Sequence, residues 1–384
     1  MSKYITSQQF IDIAIEQNCD AKGMISYIKN NLYPDYAVNT TQINNRIANY
    51  RRKGKLPLSS GNKVDVGTIL KGTSTHYDMD GNVISQWVKT DIPKENAIEA
   101  FEQAVNKIAE SIRPAEPIAS PDTVPGMEDL LTVYPIGDAH VGMLAWGKES
   151  GEDHDLEISK HRLLTGTQLI VEQALPTEKA YLIDVGDWFH ADDSLNRTAR
   201  GGNALDVDGR YGKVLEVGLD IATTMIELAL QKHQTVHWRS AIGNHNEHSA
   251  IVLNTYVKAY FRNDPRVVVH GSTSFFDYYQ FGQCLIGVTH GHTAKSDRLG
   301  EIMSVDCQDI WSSTKFRYWY TGHIHHQSVK EYPSCVVETF RTLASKDAWH
   351  ASMGYRSGQD IKSITLHKDH GEVTRNTINL SLIK

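Results

Sequence analysis

The stretch YLIDVGDWFH, residues 181–190, decides how the chain is read. Residues 181–185 form an apolar run with Ile and Val, which predicts a buried strand, parallel to its neighbours. Gly186 lets the backbone turn sharply, so Asp187 falls just past the C-terminal end of that strand. In open α/β sheets this is where ligands bind. A single GD after a strand is a common turn, but four other strand-like runs also close on Asp, Asn or His. They are IGDAH (136–140), AIGNHNEH (241–248), GVTHGH (287–292) and YTGHIHH (320–326).

The bulk composition narrows the classes. The chain has 384 residues, 40% hydrophobic and 22% charged, enough for two or three domains with a sizeable core. Its formal net charge of -7 excludes a polycation, so any contact with nucleic acid must use a local basic patch. Cys19, Cys284, Cys307 and Cys335 are far apart and form no CxxC, which argues against a disulfide framework and against a zinc–thiolate site. The N-terminus lacks the apolar core of a signal peptide, and no run is long enough to cross a bilayer. No membrane association is expected, and a reducing cytoplasm, bacterial or of a phage- or other virus-infected cell, is the expected location. Of 18 histidines only His76 precedes residue 131, and such crowding suggests metal or proton chemistry in the later part.

Residues 1–60 read as three short helices. Ser7 is expected to cap a helix to about Gln17, a second fits residues 21–31, and a third begins near Asn39 or Thr40 and runs into Arg51, Arg52, Lys53 and Lys55. This segment holds eight Lys/Arg against four Asp/Glu, opposite in sign to the whole chain. Residues 63–90 predict a β-hairpin around 79–82, and 94–112 an amphipathic helix. Pro114, Pro117, Pro121 and Pro125 mark 113–127 as a linker. From 128 to 384, strands at 131–136, 179–185, 235–242, 266–270, 283–289, 316–321 and 334–340 alternate with helices at 159–175, 212–232, 249–262 and 297–310, before a closing hairpin at 361–367 and 372–380. That alternation predicts a layered α/β domain. The domain plan is thus 1–60, 61–112, 113–127 and 128–384.

The loop motifs supply candidate ligands for divalent metal. Asp138 and His140 are one residue apart, as are His323 and His325, and in an extended segment such pairs point to one side. Asp187 can bridge two ions through its two oxygens, Asn244 offers a carbonyl oxygen, and His290 an imidazole; His292 is the ligand instead if the register of that motif is shifted. Mixed O/N ligation suits Mn, Fe or Zn better than Ca. Chance placement of polar loop residues is a poor account of seven such side chains. Two ions about 3.5–4 Å apart form a standard arrangement for phosphate-ester hydrolysis. The leaving alkoxide still needs a proton, and His245, beside Asn244, is the natural donor.

The order D-x-H, GD, GNH, HG and GH-x-H, each after a strand, resembles the calcineurin-like metallophosphoesterases over residues 130–340. The resemblance implies a two-sheet sandwich flanked by helices, with Asp138, His140, Asp187 and His325 around one ion. Asp187, Asn244, His290 and His323 would then surround the other, with His245 as the catalytic histidine. The family often has an acid after GNH, whereas here Asn246 follows, which leaves open what supports His245. The segment GDWFH followed by ADDS looks like that of SbcD-type DNA repair nucleases, by which likeness His190 would help position the scissile phosphate. Residues 43–58 resemble the recognition helix of helix-turn-helix and winged-helix domains. That resemblance makes Arg46, Arg51, Arg52, Lys53 and Lys55 candidate nucleic-acid contacts; the plainer account is a packing module whose basic end is a solvated helix terminus.

The leading expectation is a two-metal phosphodiester hydrolase, a DNA nuclease with endo- or exonuclease action unspecified. Its cofactors are two divalent ions, manganese first and Fe, Zn or Mg as alternatives. DNA is the expected partner, other nucleic acid the second choice, and a homo-oligomer is left open. A phosphodiesterase or phosphatase acting on small nucleotides or phosphoproteins is the alternative enzyme. A DNA-binding regulator with a scaffold phosphoesterase domain is the alternative of another class.

Overall fold

The computed structural model describes residues 6–17, 20–34, 39–52, 56, 69–77, 83–91, 105, 109–110, 112–198, 201–271 and 273–383, with backbone alone for 7, 51–52, 69–77 and 83–91. The chain divides into two compact units, residues 1–103 and 104–384. In the smaller unit, helices α1 (Ser7–Glu16), α2 (Ala21–Asn31) and α3 (Thr40–Arg52) enclose Phe10, Ile13, Met24, Ile28, Ile43 and Ile47. The cap of α1 is Thr6, not Ser7: its hydroxyl accepts from Gln9 N while the Gln9 side chain accepts from Thr6 N. Strands β1 (Ile69–Tyr77) and β2 (Val83–Asp91) pair antiparallel, as the hairpin pattern predicts; its turn at 79–82 lies outside the described residues. Most of the expected helix 94–112 also lies outside them.

The larger unit begins with the Pro-rich segment expected as a linker. Ala115 N donates to Tyr260 O at 2.7 Å and Arg266 to Ile118 O at 2.6 Å, so the segment packs along this unit. A six-stranded sheet then contains β3 (Leu130–Ile136), β4 (Lys179–Asp184), β5 (Thr235–Ser240) and β6 (Val267–Val269), all parallel. A five-stranded sheet contains β7 (Asp277–Phe281), β8 (Cys284–Val288), β9 (Phe316–Thr321), β10 (Ser328–Glu331) and β11 (Val336–Thr339) in the order β10-β11-β9-β8-β7. The hairpin β12 (Asp360–His367) and β13 (Gly371–Asn379) closes the first sheet next to β3.

Period-two alternation explains the layers. Leu131, Val133, Tyr181, Ile183 and Ile364 point between the sheets, against Ile286, Val288 and Tyr320. Tyr134, Ile136 and Leu182 point the other way, under the helices Leu156–Gln173 and Tyr211–Leu230. The outer face of the second sheet is covered by Leu299 and Met303 packing on Leu285, Trp319 and Val337. The result is a two-sheet sandwich flanked by helices. Strands β7 and β10 were not legible in the sequence pattern, and the expected helix 297–310 is broken at Cys307 into Leu299–Asp306 and Gln308–Trp311. Among the described residues no helix is long and apolar enough to cross a membrane.

Register sets up the site. Ile136, Asp184 and Ser240 are level across β3, β4 and β5, and Val288 is level with Tyr320 across β8 and β9. Parallel strands that end level send their following loops into one edge of the sandwich.

One buried histidine far from that edge gives the fold a pH signature. His233 is fully buried; its Nδ1–H donates to Thr177 O at 3.1 Å and its Nε2 accepts from the Tyr134 hydroxyl at 2.7 Å. Burial pushes it from 6.5 down to about 4. The unfolded chain therefore takes up this proton first, and stability present above pH 6.5 declines as pH falls toward 4. Urea denaturation at stepped pH should show that decline, and His233→Gln should flatten it; an equal slope in the variant would contradict the assignment.

Candidate metal centre

The loops after β3, β4, β5, β8 and β9 meet at that edge. Asp138, His140, Asp187 and His290 are buried and His325 nearly so. His325 Nε2 lies 3.2 Å from His140 Nε2 and 3.5 Å from Asp138 Oδ1. His290 Nε2 lies 3.0 Å from Asp187 Oδ2 and 3.1 Å from Asn244 Oδ1. Two ligands held at about 2.1 Å from one ion at roughly 90–110° stand roughly 3.0–3.4 Å apart. The donors of each group thus have the spacing of neighbouring corners of a coordination polyhedron. Three sets of donor atoms close enough to share an ion emerge: Asp138–His140–His325, Asp138–Asp187–His290 and His140–His190–His245.

The chemistry of the donors fits a cation as well. His290 Nδ1 is 3.0 Å from the Val185 carbonyl, which can only accept, so the Nδ1 proton is committed there. In a neutral ring Nε2 then carries a lone pair, yet it faces two oxygens. A cation between them, or a second ring proton, satisfies this arrangement. Without an ion, burial would lower His290, but the Asp187 carboxylate outweighs it and holds the ring up at about 9. Asp187 responds in the opposite sense: burial raises it, but His290 keeps it well below the usual carboxylate range.

Backbone conformation is equally specific. Among the described residues six non-glycine residues have positive φ, and five of them are Asp138, His140, Asp187, His323 and His325, at +20°, +44°, +58°, +72° and +56°. The extended-segment rationale for the D-x-H and H-x-H pairs is therefore corrected: these side chains converge because the chain turns left-handed at each of them. Such positions cost about 1–3 kcal/mol each and persist where the surroundings over-determine them. The glycines of the motifs make room. A Cβ on Gly243 would overlap Asp187 Oδ1, and one on Gly322 would lie 2.6 Å from Asp138 Oδ2.

His323 stands apart from the other six. Its backbone N donates to both oxygens of Asp138, at 3.0 and 3.1 Å, while its ring meets that of His290 edge-on with centroids 5.1 Å apart. It belongs to no close donor group among the described residues. Between the two histidines of the HG loop, it is His290 that belongs to a close donor group; the His292 ring lies with its centroid 5.3 Å from that of His290, 6.1 Å from that of His323 and 5.6 Å from that of Phe275.

His245 is supported by a backbone carbonyl. Its Nδ1 lies 2.7 Å from His190 O, which fixes the proton on Nδ1 and leaves Nε2 as the exchanging atom. Its ring stands 4.9 Å from that of His140 and stacks at 5.4 Å on that of His190. Burial, then His245, lowers His190 to about 3, so this ring is neutral. His190 Nδ1 is 3.2 Å from His140 Nδ1; with His140 Nε2 among the ligands, His140 is the donor in that bond. Asn246 answers the question left by its departure from the family pattern. Fully buried, it turns Oδ1 toward Gly243 N at 2.8 Å and Asp187 N at 3.2 Å, and so shapes the loop rather than the imidazole. Sequence reading missed Asp347 and His350: the His350 ring stacks on His325 with centroids 4.6 Å apart, and no strand-end motif marks it.

Of the candidate nucleic-acid contacts, Arg46 lays its guanidinium 4.2 Å over the Phe10 ring and also over Tyr50, so it serves the small unit's packing. Arg51 and Arg52 end α3; Lys53 and Lys55 lie outside the described residues.

No family model matches the chain, and no curated protein matches it. Solved structures that share part of the fold include a predicted phosphoesterase from Streptococcus pneumoniae, 11% identical over 65% of this chain and 98% of that one, with a TM-score of 0.26. Vps29 from Chaetomium thermophilum is 10% identical over 65% and 98%, at 0.30. An archaeal phosphodiesterase is 12% identical over 64% and 99%, at 0.32. With identities and scores this low, the chemistry rests on the chain's own residues.

Asn246→Ala should lower affinity for Mn²⁺ about 10–100-fold, because two backbone donors that fix the Asp187 loop lose their acceptor. Asn246→Asp should keep it. Calorimetric titration measures both, and an unchanged Ala variant would show that Asn246 plays no part in shaping the site.

Proposed function

We propose that the chain is a two-metal phosphodiester hydrolase whose substrate is DNA. The observation that carries this reading is the spacing of the donor atoms, six side chains from five loops, with one exchangeable imidazole beside them. Asp138, His140 and His325 would hold one ion, and Asn244, His290 and His323 the other, with Asp187 shared between them. This O/N donor set suits Mn, Fe or Zn better than Ca; manganese is the first choice proposed, with Fe, Zn and Mg as alternatives. When bound, the ions supply Lewis acidity that activates water and neutralises charge on the phosphate.

The protein's own residues supply the rest. His245 Nε2 gives a proton to the leaving oxygen, and its Nδ1–H, anchored on His190 O, keeps the ring aimed. Neutral His190, accepting at Nδ1 from His140, is left with an Nε2–H donor for a phosphate oxygen, the role that the likeness to SbcD-type nucleases suggests. The basic segment 1–60, with eight Lys/Arg against four Asp/Glu, supports a polynucleotide as substrate, since it supplies attraction that a chain of net charge -7 otherwise lacks.

His245→Ala should cut kcat about 10²–10⁴-fold with Mn²⁺ binding intact. The assay panel is single-stranded DNA, duplex DNA, RNA, cyclic nucleotides and a phosphopeptide, and turnover of the small esters alone would favour the alternative phosphodiesterase or phosphatase. Full activity in the variant would remove His245 from the mechanism. Replacing Arg51, Arg52, Lys53 and Lys55 by Gln should flatten the dependence of log Kd on log salt by about 0.9 per lost phosphate contact. An unaltered slope would take the basic segment out of substrate binding.

A further inference from the structure

The segment 346–356 carries none of the ligand motifs, yet it borders the centre. His350 is fixed against His325, because Asp347 Oδ1 accepts both His350 N and His350 Nδ1 at 2.7 Å. Trp349 stands edge-on to His350, with centroids 4.9 Å apart at 89°, and 5.9 Å from the Tyr355 ring. Even with these neighbours it is 57% exposed. A scattered surface aromatic needs no explanation, but this one lies two ring contacts from a candidate ligand.

Its neighbour Ala348 lines an open cleft between residues 147–151 and 346–356, together with Lys148, Lys346 and Arg356 against the single carboxylate of Glu149. Lys346 is paired with Glu152 at 3.0 Å, whereas among the described residues Arg356 bonds to the carbonyls of Ala351 and Tyr355 and to no carboxylate. Next to Gly147 of the opposite wall, Trp146 is 55% exposed, with Lys148 Nζ 5.2 Å from its ring. Cations that track phosphates, interleaved with exposed aromatic faces, are the composition of a single-strand groove. A phosphopeptide has no use for the rings, and a duplex keeps its base faces stacked inside.

We propose that Trp349, backed by His350 and Tyr355, is a stacking platform for an unpaired base of a single-stranded nucleic acid beside the metal centre, with Lys148 and Arg356 receiving its neighbouring phosphates. The proposal rests on the hydrolase reading for its substrate and deepens it to a base-reading, single-strand site. Stacking over Trp349 makes this wall a determinant of specificity, and it takes no part in bond breaking.

The test is binding by the full-length chain without metal, in EDTA, read by fluorescence anisotropy with a thymidine decamer and with an abasic decamer of equal charge. The wild-type chain should bind the base-bearing strand about tenfold tighter, the effect of roughly one stacked base. Trp349→Ala should remove most of that preference, with affinity for the abasic strand held within about twofold, and Trp349→Phe should restore part of it. No preference in the wild type, a preference unaltered in Trp349→Ala, or equal weakening toward both strands would overturn the proposal. Base preference is read without turnover. A chain that bound in this way and hydrolysed no diester would refute the hydrolase reading while supporting the platform.

Discussion

Asp187 is bonded through four different atoms to the loops around it. Its Oδ1 accepts from His245 N at 2.9 Å, its Oδ2 meets His290 Nε2 at 3.0 Å, its carbonyl accepts from His140 N at 2.9 Å, and its N donates to Asn246 Oδ1 at 3.2 Å. The loops after β3, β5 and β8 are thereby tied to the loop after β4 by a single residue. That residue can serve as hub because its φ is +58°, which turns the carbonyl and the carboxylate to different neighbours. Gly243 leaves the space into which the carboxylate fits. Other features of the site follow from this geometry, including the close approach of His290 and the placement of His245 beside His140.

The sandwich exists to hold that hub still. Six of its strands run parallel within their sheets and end level, so loops distant in sequence are neighbours in space. Burial of β3 and β4 on both faces makes a slip of register costly, since one residue of slip would exchange Tyr181 and Ile183 with Leu182 between the two cores. The left-handed turns at five acidic and imidazole residues cost stability that this rigid base offsets.

Most of this was legible in the sequence because the signals are local. A buried strand ending in Gly-Asp, Gly-Asn or Gly-His names both the scaffold and the ligand, and β3, β4, β5 and β9 follow that rule. Less was legible where the determining contact is distant. The edge strands β7 and β10 are half-exposed and lack an apolar run. Asn246 looked like a missing acid at the imidazole, yet it acts on the backbone of the preceding turn. Arg46 was read by charge, whereas the structure also places it over Phe10, a packing contact that its charge does not reveal. Asp347 and His350 precede no strand and follow none closely, so only the stacking on His325 reveals them. His323 shares a motif with His325, and its ring meets that of His290, the neighbour expected for it, although it joins no close donor group among the described residues.

The claim on which the account depends is that these loops hold a pair of ions. Anomalous scattering from crystals soaked in Mn²⁺ tests it directly. Two peaks should appear on either side of Asp187, one against Asp138, His140 and His325 and the other against Asn244 and His290. A single peak away from Asp187, or no peak at all among these side chains, would contradict it.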